Sequence, residues 1–103
     1  MGDPMRIRAQ IKDGTTDVRV LMGHPMETGL RKDAAGKAVP AHYITDVKVT
    51  LGDRTVLAAK WGTAVSQNPF LQFRFQGARA GDKVTVSWAD NQGDKRTDEA
   101  VIV

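Results

Sequence analysis

The chain has 103 residues, with 15 basic and 12 acidic side chains, two histidines and no cysteine. That length suits one domain with a core of its own, so disulfide or metal staples are not required. The missing cysteine excludes thiolate metal sites and cysteine nucleophiles, and a net charge of +3 with acids set among the bases argues against a nucleic-acid binder.

In chain order, Met5 to Ile11 alternates apolar and polar residues with period two, the pattern of a half-buried strand. Asp13-Gly14 marks a turn, and Val18 to Met22 resumes the strand to give a hairpin. A long excursion, MGHPMETGLRKDAAGKAVPAHYI (22–44), then breaks the rhythm. It holds both histidines, His24 and His42, with two of the four methionines and two of the four prolines. Long excursions of this kind are functional or disordered. At most, Leu30 to Asp33 is expected to form one helical turn.

Tyr43 to Leu51 reads as the next strand, with Val47, Val49 and Leu51 inward. Ile44 is out of phase with them, which predicts a bulge near Thr45. After a turn at Gly52-Asp53 come Thr55 to Trp61, Phe70 to Gln76, Lys83 to Trp88 and Arg96 to Val103. Asp90 to Asp94 is a hairpin loop signal. Seven short strands with turn punctuation and no convincing helix predict an all-β, immunoglobulin-like antiparallel β-sandwich. A small barrel is the alternative.

No run approaches a membrane span, and the first residues lack the apolar region of a secretory signal. Serines are few, and none lies in a nucleophile elbow. Met22, His24 and Met26 alternate along the excursion, a soft donor set that would suit Cu(I), and His42 would add a second nitrogen. The competing reading is a packed, hydrogen-bonded loop. Ile44, Leu57, Trp61 and Phe70 fall out of phase with the core pattern. Burying each would stabilise by about 1.5–3 kcal/mol, so either bulges return them to the core or another chain covers them.

The segments HPMETGLRKD (24–33), PAHYI (40–44), QNPF (67–70), FRF (73–75) and DNQGDKRTDEA (90–100) together resemble the SoxZ family. The similarity runs from PMRIRA (4–9) to the last strand. The resemblance implies a non-catalytic subunit of the SoxYZ sulfur-carrier complex of thiosulfate oxidation. In that complex SoxY bears the cysteine arm on which sulfur intermediates ride. It implies a heterodimer with SoxY, transient contact with other Sox enzymes, no cofactor in this subunit, and a periplasmic location reached by export with SoxY. A second copy of this chain is the alternative cover for the apolar patch formed by Ile44, Leu57, Trp61 and Phe70. The excursion residues His24, Met26, Glu27, Arg31, Lys32 and His42 are expected near the docking site for the loaded arm or a client enzyme. Arg31 and Lys32 supply charge for an anionic sulfur species or an acidic partner surface.

Overall fold

Period-two alternation sorts the chain into seven strands, here in a computed structural model that describes residues 3–103. They are β1 (Arg6–Lys12), β2 (Thr15–Leu21), β3 (Ile44–Leu51), β4 (Arg54–Lys60), β5 (Phe70–Gln76), β6 (Lys83–Asp90) and β7 (Lys95–Val101). All pairings are antiparallel. One sheet has the order β1-β2-β5 and the other β4-β3-β6-β7, an immunoglobulin-like β-sandwich with no helix among the described residues. β2 begins at Thr15, three residues earlier than the apolar pattern suggests, because Asp13 and Gly14 turn the chain tightly with positive φ.

The core lies between the sheets. From the three-stranded sheet it takes Ala9, Val18 and Val20, and from the four-stranded sheet Val47, Val49, Val84, Val86 and Trp88. Half-buried Ile7, Ile11, Leu71, Phe73 and Phe75 pack against them. At the edge of the first sheet, β1 is partly covered by the C-terminal segment. Ile11 donates its N–H to the carbonyl of Val103 at 2.9 Å, and Val103 returns one to Ala9 at 3.0 Å. Such capping limits an exposed edge.

Two register shifts decide where the out-of-phase apolar residues go. The β3–β6 ladder slips between Ile44 and Asp46, as expected at Thr45. Trp61 donates its N–H to the freed Thr45 carbonyl at 2.9 Å. A second shift follows Val49 in the β3–β4 ladder and sets Leu57 directly opposite buried Val49.

These shifts correct part of the expected partner surface. Ile44 is fully buried, so it belongs to the core and not to an exposed patch. Leu57 and Trp61 are half-buried and pack on the core. Of the four residues, Phe70 alone stands clear, at 59 % exposure.

Candidate functional site

The excursion between β2 and β3 is a two-stranded finger. Its base is a reciprocal backbone pair, Glu27 N–H to His42 O at 2.6 Å and His42 N–H to Glu27 O at 2.9 Å. Further out, Val39 donates to the Arg31 carbonyl at 2.7 Å and Asp33 to the Lys37 carbonyl at 2.8 Å. The tip closes on Asp33, whose Oδ1 accepts the N–H groups of Ala35 and Lys37. An aspartate that mimics a backbone turn in this way sets the reversal. Leu30 to Asp33, which had room for one helical turn at most, forms none. Those residues form the outgoing limb of the ribbon, with Lys32 bridged to Ala38.

The finger is rooted by side chains distant in sequence. His24 is buried, and its Nε2 lies 3.0 Å from Oδ2 of Asp90. His42, with its side chain 28 % exposed, brings its own Nε2 within 2.7 Å of the same oxygen. The other oxygen, Oδ1, accepts the backbone N–H groups of Gln92 and Asp94, each at 2.9 Å. Burial opposes the charge on Asp90 and is the largest single influence. The N–H donors of His24, Asp94, His42 and Gln92 outweigh it together, and hold the carboxyl below its usual 3.8. Trp88 meets the His24 ring edge-to-face at 5.0 Å, and the two imidazoles stand 4.6 Å apart.

Two neighbouring loops clamp the root. In the β6–β7 turn, Asn91 Oδ1 accepts the Tyr43 N–H at 2.8 Å, while Asn91 and Gln92 amides both donate to the Ala41 carbonyl. From the β4–β5 loop, Asn68 donates its N–H to the His24 carbonyl at 2.9 Å and accepts the His24 N–H on Oδ1 at 3.2 Å. The segments QNPF (67–70) and DNQGDKRTDEA (90–100) thus grip the excursion from two sides.

Met26 sits in the same root with a φ of +48°, a conformation that a long side chain adopts only when its surroundings hold it there. Two bonds do so. Its N–H donates to Nδ1 of His24 at 3.1 Å, and its Sδ accepts the Ile44 N–H at 3.3 Å. Met22 lies wholly within the core. The soft donor set read from the sequence is therefore engaged elsewhere: both His24 nitrogens, the Met26 sulfur and the Met22 side chain all have partners in the fold. His24, His42 and Asp90 do place three ligand-type atoms within 4.8 Å of one another. The carboxylate accepts four N–H groups and the arrangement is complete as a hydrogen-bonded anchor.

Beyond the root the finger faces solvent. Arg31 forks onto the Glu27 carboxylate through Nε and Nη2 at 2.9–3.1 Å, which lowers the Glu27 pKa and raises that of Arg31. Lys32 is exposed, and Leu30 is 86 % exposed. The expected docking residues divide accordingly. His24, Met26 and His42 build the support, while Arg31 and Lys32 stand outside, with half-buried Glu27 at the junction. Asp90 is the member that the sequence reading placed only in a turn. Its signal was phase: Val84, Val86 and Trp88 face inward, and the next residue in that series is Asp90.

A family model described as sulphur oxidation protein SoxZ matches residues 5–101. The chain belongs to the SoxZ family. Its place is therefore in the sulfur oxidation system, as a subunit that works with a protein partner. No protein of curated function matches the chain. Among solved structures it is similar to superoxide reductases (neelaredoxins). One from Archaeoglobus fulgidus is 18 % identical with a TM-score of 0.65, over 97 % of this chain and 89 % of that one. One from Ignicoccus hospitalis is 16 % identical with a TM-score of 0.61, over 98 % of this chain and 80 % of that one. At these identities the likeness concerns the sandwich alone.

Proposed function

We propose that this SoxZ-family chain is the non-catalytic half of a heterodimer with SoxY, supporting the cysteine arm that carries sulfur intermediates in thiosulfate oxidation. The observation that carries this reading is the match over residues 5–101 in a chain without cysteine. A chain with no thiol has no side chain on which to carry sulfur as a disulfide or thiosulfonate, so the covalent chemistry falls to a partner. The complex works in the periplasm and reaches it by export with SoxY.

The finger is the docking element in this reading. Its root is fixed by the His24–Asp90–His42 bonds, and its outer limb presents Leu30, Arg31 and Lys32 to the arm or to a client enzyme. A rigid base with an exposed apolar and cationic tip suits repeated, reversible contact with an anionic or acidic surface.

Co-expression with a SoxY chain tests the pairing. Sizing is expected to give a one-to-one complex, and intact mass after loading is expected to show sulfur adducts on the partner alone. Adduct mass on this chain, or two chains that elute separately, would refute it. Replacing Arg31 and Lys32 by alanine is expected to slow the reconstituted system at low salt; unchanged rates would remove the docking role from these two residues.

A further inference from the structure

Strand alternation sorts charges that look intermingled in the sequence. The outer face of the three-stranded sheet consists of four cross-strand rows: Arg6, Leu21 and Phe70; Arg8, Arg19 and Gln72; Gln10, Asp17 and Arg74; Lys12, Thr15 and Gln76. Five cations and one carboxylate give this face a net charge of +4. The whole chain carries +3, so everything else sums to −1. The mixed-charge surface expected from the sequence is thus not uniform.

Asp17 does little to neutralise the face. It accepts from Arg19 Nε at 3.1 Å and from Gln72 at 3.1 Å, with Arg74 at 3.7 Å. Arg6, Arg8 and Lys12 have no carboxylate within ion-pair distance among the described residues. Arg8 stands directly opposite Arg19, and like charges so placed destabilise an antiparallel pair. This arrangement gives the isolated fold nothing, yet it suits an external anion. At one end of the face, Leu21 and Phe70 are paired directly and are 42 % and 59 % exposed.

We infer that this face docks an acidic protein surface carrying an apolar side chain that seats against Leu21 and Phe70. Uncompensated arginines beside an exposed aromatic match the cationic and aromatic enrichment of protein interfaces. A carboxylate at the centre of the face, on Asp17, is unfavourable to the continuous phosphate line of a nucleic acid. So cationic a surface fits an electrostatically steered, reversible encounter better than the apolar core of a permanent interface. The inference stands apart from the pairing with SoxY, because it rests on the charge of this face and its exposed Leu21–Phe70 pair.

The test uses the full, isotopically labelled chain and a Glu/Asp-rich peptide with a central Phe. NMR shifts in the unsubstituted protein are expected at Arg6, Arg8, Arg19, Leu21 and Phe70, and to fade as salt rises. The triple variant Arg6→Glu, Arg8→Glu, Arg19→Glu is expected to weaken binding by about tenfold or more. The control Lys48→Glu, Lys83→Glu, Lys95→Glu makes the same charge change on the four-stranded sheet and should leave binding within about twofold. Equal loss in both variants, shifts that map elsewhere, or a short DNA duplex binding more tightly than the peptide at physiological salt would overturn the inference. The shift map stands on the unsubstituted chain, so it decides even where a variant fails to fold.

Discussion

Met26 directs its backbone N–H onto Nδ1 of His24 at 3.1 Å, and that bond settles which ring nitrogen carries the proton. A backbone amide only donates, so Nδ1 must accept, and the proton of neutral His24 sits on Nε2 facing Asp90. The strained Met26 backbone, the buried imidazole and the carboxylate of β6 therefore form one chain of bonds. Its effect is mechanical: it fixes the angle at which the finger leaves the sandwich.

Asp90→Asn removes the charge and turns an amide NH2 toward one of the two donor pairs that the carboxylate accepts, either the His24 and His42 rings or the Gln92 and Asp94 N–H groups. A hydrogen bond to a charged group is worth about 1.5–3 kcal/mol, and orphaned buried donors add to the loss. A destabilisation of about 3 kcal/mol is expected in urea unfolding, with faster amide exchange at Glu27 and His42. Unchanged stability would show that the root is not held by this carboxylate.

Acid should loosen the same root. The folded-state pKa of Asp90 lies below its ordinary value for the hydrogen-bonding reasons given above, and that of Asp98 is lowered chiefly by Arg96 and further by the Met5 N–H, against the opposing effect of burial. A depressed carboxyl pKa stabilises the fold above the unfolded pKa, near 3.8, and the gain is lost as pH falls through the lower folded value. These two groups should therefore contribute a constant term from neutral pH to about pH 5 and a falling one below about pH 4. Unfolding curves across that range check it. Asp90→Asn should flatten the acid limb, and an equally steep limb in the variant would assign the loss to other groups.

Much of this arrangement was legible beforehand, and the exceptions have physical causes. Ile44 breaks the alternation of β3, and a single extra residue is the cheapest repair, so the bulge at Thr45 was readable. The shift after Val49 was not, because Val56, Leu57, Ala58 and Ala59 are all apolar and alternation cannot choose between two registers of such a run. Alternation therefore leaves both fates open for Leu57, and its pairing with Val49 turns it onto the core. The finger escaped because its ribbon is held by backbone bonds and an Asp33 turn, with few apolar residues to mark a period. Asp90 was hidden by its company: aspartates in turns are ordinary, and only its inward phase after Trp88 set it apart. The sorted basic face needed the pairing of β2 with β5, strands that the long excursion, β3 and β4 separate in the chain.

Two glycines of the finger should respond differently to alanine. Gly29 has φ +87°, and a Cβ there would lie 3.2 Å from Cβ of Ala41. Gly36 has φ +79° with open space around it. Each substitution carries a left-handed backbone cost of about 1–2 kcal/mol, but Gly29→Ala adds a steric push on the returning limb beside His42. Amide exchange at the Glu27–His42 pair should therefore accelerate in Gly29→Ala and stay near the parent rate in Gly36→Ala, where opening is confined to the tip. Equal acceleration in both would mean that the finger opens as one unit.

The corrected partner surface makes the sharpest contrast in stability. Ile44 is sealed in the core, with its N–H on the Met26 sulfur and its strand position fixed by the bulge. Ile44→Ala should cost about 2–5 kcal/mol, because the transfer free energy of the lost atoms adds to that of the cavity they leave. Phe70 stands at the exposed end of the basic face, and Phe70→Ala should change stability by only about 0.5 kcal/mol. Binding of the acidic peptide should show the reverse order, weakened by Phe70→Ala and unaffected in whatever fraction of Ile44→Ala remains folded. An Ile44 variant as stable as the parent would mean that this side chain is not enclosed. A Phe70 variant losing several kcal/mol would mean that its ring is packed within the chain and not available to a partner.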